Sequence, residues 1–478
     1  MPDVLNWEDF RSEPSNVLRS AEDKCANGNS DPFEVVEIPK GSLLSRAGAL
    51  LSLEDRVAYH ALCASFAATI ESRLSDRVYS SRLNSNDRSF LKPTRSQYEL
   101  FQSSVSEHIE DGSWVVSTDL VSYFETISHQ LLFEDLKDLG IPDDVTTPLR
   151  NLLRSWRKPA HVGLPIGPDA SRILGNFFLR HIDEQMLDHG FNYHRYMDDI
   201  RIVVSSEREG RAALRKFEVL CRKRGLIVTG TSKSKVEKSA SYLKAADDAR
   251  LDAADYALRN SFETSRTILR DLFNRAVDEE NLNRRHARFA LVRLGKLVDR
   301  GVLRKVVERL DSLSEISKDS AFYLRSFISE AKVQAEITAF IAKPSEPGLE
   351  RYQRAWLISV MLESLTAPPS EWISYARRIA LDANEPSFLR TLAFNLLARG
   401  GQLVDRTELI EVAETAHDSR LVRGAVVALK RIDRLSAETQ RKVQGRHAKL
   451  APTLTYLKSR QALPSLVQKG LWAEISRI

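Results

Sequence analysis

The sequence predicts an α+β domain followed by an all-helical domain, and three observations carry that expectation. The chain has 478 residues, too many for one ordinary hydrophobic core, so two domains are the default. Up to about residue 250, short strand-like apolar runs alternate with amphipathic helical stretches. Beyond that point the strand signals vanish and nearly everything reads as amphipathic helix.

Taken in order, residues 1–30 form an amino-terminal extension that opens MPDVLNWEDFRSEPS. It is acidic and polar where a secretory leader would be basic and then apolar. No apolar run is long enough for a membrane span, so the expectation is a cytoplasmic chain without a membrane partner. Residues 31–245 form the mixed domain. Its strands are EVVEI, WVVSTDL, IRIVV and LIVTG, and its helices include LEDRVAYHALCASFAATIESRL and DASRILGNFFLRHIDEQML. Turn signals at Pro39-Lys40-Gly41, Gly140-Ile141-Pro142 and Gly163 to Pro168 punctuate them. The scattered cysteines, Cys25, Cys63 and Cys221, show no metal spacing and suit a reducing compartment. A net charge of +5 is compatible with nucleic acid but does not establish it, because 65 acids nearly balance 70 bases.

Residues 246–478 form the helical domain. An arginine opens an apolar helix at Arg288, Arg325, Arg354, Arg390 and Arg423, with gaps of 37, 29, 36 and 33 residues. A period of that size resembles HEAT-type helical repeats, whose helix pairs stack because none buries its apolar face alone. An irregular helical bundle is the alternative. The arginines could line a strand-binding groove, but pairing with carboxylates between repeats is the favoured reading.

Three ordered blocks carry the chemistry. The first is Ser117-Thr118-Asp119-Leu120-Val121-Ser122-Tyr123-Phe124, where a strand-end aspartate projects its carboxylate from a rigid edge. The second is the loop Gly163-Leu164-Pro165-Ile166-Gly167-Pro168 running into a helix that contains Ser171 and Asn176. Its glycines permit close backbone approach to a nucleotide. The third is Tyr196-Met197-Asp198-Asp199, two adjacent carboxylates at a hairpin tip. Phosphoryl transfer needs charge neutralised on the attacking oxygen and on the departing pyrophosphate, and two metal ions held by three carboxylates do this. A lone Asp-Asp is usually turn chemistry, and a lone strand-end Asp is usually a cap. It is the three blocks together, in order, that speak against that reading.

These blocks resemble the palm motifs of reverse transcriptases, and the likeness spans roughly residues 30 to 240. Ile38-Pro39-Lys40 and Arg46 look like the fingers segment in which a Lys and an Arg meet the triphosphate. Gly225 to Val228, followed by Ser232-Lys233-Ser234, resembles the later Leu-x-Leu…Lys-Thr element. The resemblance therefore implies fingers and palm over residues 31–245, with Asp119, Asp198 and Asp199 as catalytic residues. It implies Mg²⁺, with Mn²⁺ as an alternative, held by Asp119, Leu120, Asp198 and Asp199. Lys40, Arg46, Phe124, Gly167 and Lys233 become nucleotide-binding positions. Phe124 stands where the family keeps an aromatic beneath the sugar, which excludes a 2′-hydroxyl and favours deoxynucleoside triphosphates; without the family it reads equally as a core Phe.

Ile166 replaces the glutamine of the family loop, and Pro168-Asp169 replaces its Ser-Pro. That variant loop, Arg77-Val78-Tyr79-Ser80-Ser81-Arg82 and the helical carboxyl half resemble the bacterial abortive-infection (Abi) group among defence-associated reverse transcriptases. The resemblance implies anti-phage DNA synthesis without a template, primed from a protein hydroxyl. It also implies a single-stranded DNA product attached to the enzyme, and homo-oligomers. Two other readings stay open: a reverse transcriptase templated by a partner non-coding RNA, and a non-catalytic scaffold binding nucleic acid and protein.

Weaker signals are weighed the same way. Basic residues over 211–238 could track a nucleic-acid backbone or simply form a solvated helix face. Arg441 and His447 superficially match the spacing of helical toxin ribonucleases, for which chance is the better explanation. The remaining histidines show no ligand spacing, so no zinc site is expected.

Overall fold

A computed structural model describes residues 1–5, 7–41, 44–84, 89–156, 161–230, 233–246, 248–260, 263–279, 282–342, 350–400, 403–461 and 463. Ser232, part of the Lys233 element in the sequence, lies outside them. The chain divides into two units, one of residues 17–35 and 48–248, the other of residues 1–16, 36–47 and 249–478.

The first unit is built on a four-stranded sheet. A hairpin of β1 (Glu34–Lys40) and β2 (Leu44–Leu50) straddles the unit boundary, and the sheet follows with β3 (Trp114–Thr118), β4 (Asn192–Tyr196), β5 (Asp199–Val204) and β6 (Lys235–Lys238). Its order is β4-β5-β3-β6 and every pairing is antiparallel. β3 is central and covered on both faces, which is why it reads as an unbroken apolar run: Val115 and Val116 are both 0% exposed. Val116, Ile200, Ile202 and Val204 join the main core, with Phe217, Leu220 and Ile173. On the other face Val115 and Val203 meet Phe101, Val105 and Tyr242. Residues 77–79 shield the free edge of β4: Val78 bridges Arg195 in parallel, and Tyr79 N–H donates to the Arg195 carbonyl at 2.9 Å.

The helix Glu207–Lys223 crosses this sheet closely at Gly210. A Cβ there would lie 2.6 Å from Val236 Cγ1 and 3.3 Å from Val116 Cγ2. Gly210→Val is accordingly expected to destabilise the chain by about 1–3 kcal/mol through overpacking. A lowered urea midpoint with unchanged slope is the signature; an unchanged midpoint would mean the helix can lift away freely.

The second unit is helical, and no strand occurs among the described residues after Lys238. The helices Arg284–Lys296, Ser317–Leu324, Arg351–Leu362, Ser387–Gly400 and Ser419–Arg431 form a row in which each packs on the next. Leu303–Glu308, Ala331–Ile341 and Ser370–Leu381 form a second row beside it. First-row helices are buried on most faces, as in Leu421 to Leu429, because they are sandwiched along the stack. Arginines tie successive layers together: Arg270 to Asp299 (2.6 Å), Arg288 to Asp319 (3.1 Å), Arg300 to Glu330 (2.5 Å) and Arg354 to Glu385 (2.6 Å). Of the arginines marked in the sequence, Arg288, Arg354 and Arg423 thus pair with carboxylates. Arg390 donates to the Ala380 carbonyl at 2.9 Å, and Arg325 lies over the Phe322 ring. Among the described residues no helix is long and apolar enough to cross a membrane.

Candidate active site

β4 and β5 are joined by a two-residue loop, since Tyr196 pairs with Asp199. Met197 takes φ 57° there. A positive φ at the first loop position is a glycine's conformation in such hairpins, so Met197 holds it under strain. The β3–β5 register ends at Thr118↔Ile200. One residue further along, that register sets Asp119 opposite Asp199.

The segment after β3 is pinned from the other side. Thr229 N–H and its hydroxyl both donate to the Asp119 carbonyl at 3.0 Å, Val121 N–H donates to Ile227 at 2.8 Å, and Leu120 bridges Val228. The Gly225–Val228 segment, expected as a strand, makes here only a single bridge beside Asp119. From it Lys233 reaches back, its Nζ 2.7 Å from Asp119 Oδ2.

The other oxygen, Asp119 Oδ1, is buried and has no hydrogen-bond partner among the described residues. Burial, above all, raises the Asp199 carboxyl above its usual pKa; the Arg201 charge opposes this, Asp119 adds to it, and Lys233 opposes it. An orphaned carboxylate oxygen beside a second carboxylate that resists ionisation is a donor set a hard cation would satisfy. Leu120 can offer only its backbone carbonyl. As they stand, no three His, Cys, Asp or Glu side chains among the described residues gather closely enough to hold an ion.

The glycine loop is bonded to the turn that follows Asp119. Leu164 N–H donates to Phe124 at 2.7 Å, Gly163 N–H to Ile127 at 2.7 Å, and His129 Nε2 to the Gly163 carbonyl at 2.7 Å. Ser171 donates to the Pro165 carbonyl at 2.6 Å. Phe124 is half-buried against the helix Asp169–Phe178: a Cβ on Gly175 would lie 3.0 Å from its ring, so only glycine leaves it room. Gly167 is exposed, with no atom within 4 Å of a Cβ position. Lys40 and Arg46 stand exposed on the β1–β2 hairpin in the other unit, where burial above all, then the Arg288 charge and to a lesser degree the Arg46 charge depress the pKa of Arg284.

Two polar networks, the first fully buried and the second partly so, are formed by contacts that the sequence does not display. Arg195, 0% exposed, pairs with both oxygens of Asp183. Its only signal in the sequence is its place just before Tyr196. In the second group Arg77 lies 3.0 Å from His108 Nε2 and 3.3 Å from His194 Nε2. Burial first, then the Arg77 and His108 charges, pushes the His194 imidazole down to about 3, so it stays neutral in the fold.

Arg211 pairs with Glu207 and Arg222 with Glu218 along an exposed helix face, while Arg224 lies 4.2 Å over the Phe178 ring. His447 Nε2 donates to the Ala416 carbonyl at 3.0 Å and so acts as a strut.

Residues 61–244 match the family described as reverse transcriptase (RNA-dependent DNA polymerase). The chain therefore carries a reverse-transcriptase domain and is a nucleotidyltransferase, with nucleotides as substrates and nucleic acid as product. No curated protein matches the chain.

Proposed function

We propose that the chain is a DNA polymerase of the abortive-infection type, making DNA without a template and priming it from its own hydroxyl in the cytoplasm during phage defence. The orphaned Asp119 Oδ1, on a strand end that the sheet register sets opposite Asp199, is the observation that carries the polymerase reading. Asp119, Asp198, Asp199 and the Leu120 carbonyl would hold Mg²⁺ or Mn²⁺. Bound there, divalent cations supply charge neutralisation on the attacking oxygen and on the departing pyrophosphate.

The chain's own residues do the rest. Lys233, anchored on Asp119, brings a positive charge to the edge of the site. Phe124 excludes a 2′-hydroxyl, and the exposed Gly167 lets a nucleotide approach backbone. Lys40 and Arg46 are assigned to the triphosphate on the strength of the resemblance. Support for untemplated synthesis comes from Ile166, an apolar side chain that cannot hydrogen-bond a base where the family carries glutamine. The stacked helix rows, read as HEAT-like, and a homo-oligomeric assembly complete the proposal.

Purified chain given Mg²⁺ and labelled deoxynucleotides alone should make DNA that migrates with protein until a protease is added. A single defined RNA that co-purifies, with complementary DNA, would instead establish the templated mode. Absence of incorporation on any template or primer would leave only a scaffold role. Phe124→Ala should narrow the preference for dCTP over CTP, measured as kcat/KM, by about tenfold or more. Unchanged discrimination would return Phe124 to the core.

A further inference from the structure

We infer that Arg195 is a positioning residue that holds the Asp198–Asp199 hairpin in its working conformation; the inference rests on reading those aspartates as metal-binding. Arg195 is fully buried, and all five of its N–H donors are engaged. Nε donates to Asp183 Oδ1 at 2.7 Å and one terminal nitrogen to Asp183 Oδ2 at 2.6 Å. That nitrogen also donates to the Asn176 carbonyl at 3.2 Å, while the other donates to Asn176 Oδ1 at 2.9 Å and to the Met197 carbonyl at 3.0 Å.

Charge balance alone would be met by Asp183, which also accepts the Tyr193 hydroxyl at 3.0 Å. The bond to Met197 is the additional one, and it falls on the residue held at φ 57° between Tyr196 and Asp198. A non-glycine residue keeps that conformation only where its surroundings over-determine it. Asn176 sits on the helix that follows the glycine loop, and its side-chain nitrogen donates to the Ser80 carbonyl at 2.5 Å. Arg195 therefore locks three elements to the loop between the tandem aspartates and β4: the helices Asp169–Phe178 and Arg180–Asp188, and the segment at Ser80. An ammonium in its place could answer Asp183 but has no planar fork to reach Asn176 and Met197 together.

The full chain carrying Arg195→Lys tests this, read by thermal melting, by Mn²⁺ binding from the free-ion EPR signal, and by steady-state incorporation. We expect a cooperative melt, Mn²⁺ binding weakened about tenfold or more, and kcat lowered about a hundredfold and partly restored by raised Mn²⁺. The KM for deoxynucleotide should change little. A variant that melts earlier yet binds Mn²⁺ and turns over like the parent would overturn the positioning role. If Arg195→Lys fails to fold, the charge-free pair Arg195→Met with Asp183→Leu leaves no orphaned carboxylate and reads the same quantities. Should the parent chain itself bind no Mn²⁺ in an Asp119- and Asp199-dependent manner, the metal reading falls, and this inference with it.

Discussion

Asp119→Asn is expected to lower nucleotide incorporation by about a thousandfold or more while leaving the melting temperature almost unchanged. The structural cost is small because Asp119 makes one side-chain ion pair, with a Lys233 that is 54% exposed. Pairs of that kind contribute about 0–1 kcal/mol. Its other oxygen has no partner to lose among the described residues. The chemical cost is large because a neutral amide withdraws one of the charges on which the proposed cation site depends.

Asp199→Asn sharpens the contrast. Its carboxyl has a raised pKa in the fold, so the folded state disfavours the ionised form. Stability is therefore reduced as pH rises through the unfolded carboxylate range of about 4, and a neutral residue removes that penalty at pH 7. The variant should melt at or above the parent temperature and be inactive. Single-turnover incorporation alongside differential scanning calorimetry checks both halves. Retention of a tenth of parental activity by either variant would sink the assignment.

Much of this site was legible because its parts are local. Asp119 announces itself by following Trp114-Val115-Val116, Asp198-Asp199 by sitting between strand-like runs, and the glycine loop by its turn residues. What sequence could not display is convergence. Lys233 is 114 residues from the Asp119 carboxylate it grips. Arg195 looks like a surface cation that happens to precede Tyr196, until Asp183 and Asn176 arrive from helices whose facing is set only by tertiary packing. Grouping across the chain is hidden for the same reason: the sequence reads residues 1–16 as part of an amino-terminal extension and residues 36–47 as part of the mixed domain, and by compactness both group with the helices of the carboxyl half.

That grouping has an energetic centre at Arg423. Removing its side chain, as in Arg423→Leu, is expected to destabilise the chain by about 3–5 kcal/mol, the cost of stranding buried carboxylates. Arg423 lies 2.6 Å from Asp3 and 2.7 Å from Asp9, over the rings of Trp7 and Phe10, and Asp9 is 0% exposed. The pairs Arg270–Asp299, Arg288–Asp319, Arg300–Glu330 and Arg354–Glu385 span 29, 31, 30 and 31 residues, each reaching into the next layer. The corresponding place beyond Arg423 is taken by Thr453, which has no charge and donates its hydroxyl to Asp9 at 2.7 Å. The amino-terminal segment thus supplies, from 414 residues away, the carboxylate that answers Arg423. Deleting residues 1–12 should cost at least as much as Arg423→Leu, because it leaves the guanidinium buried without its acids. Adding Asp3→Leu and Asp9→Leu to Arg423→Leu should recover most of the loss, since well-packed apolar groups replace a buried ion cluster at little cost. Urea midpoints of the variants decide it: equal midpoints for parent and Arg423→Leu would show that this ion cluster does not hold the helices around it.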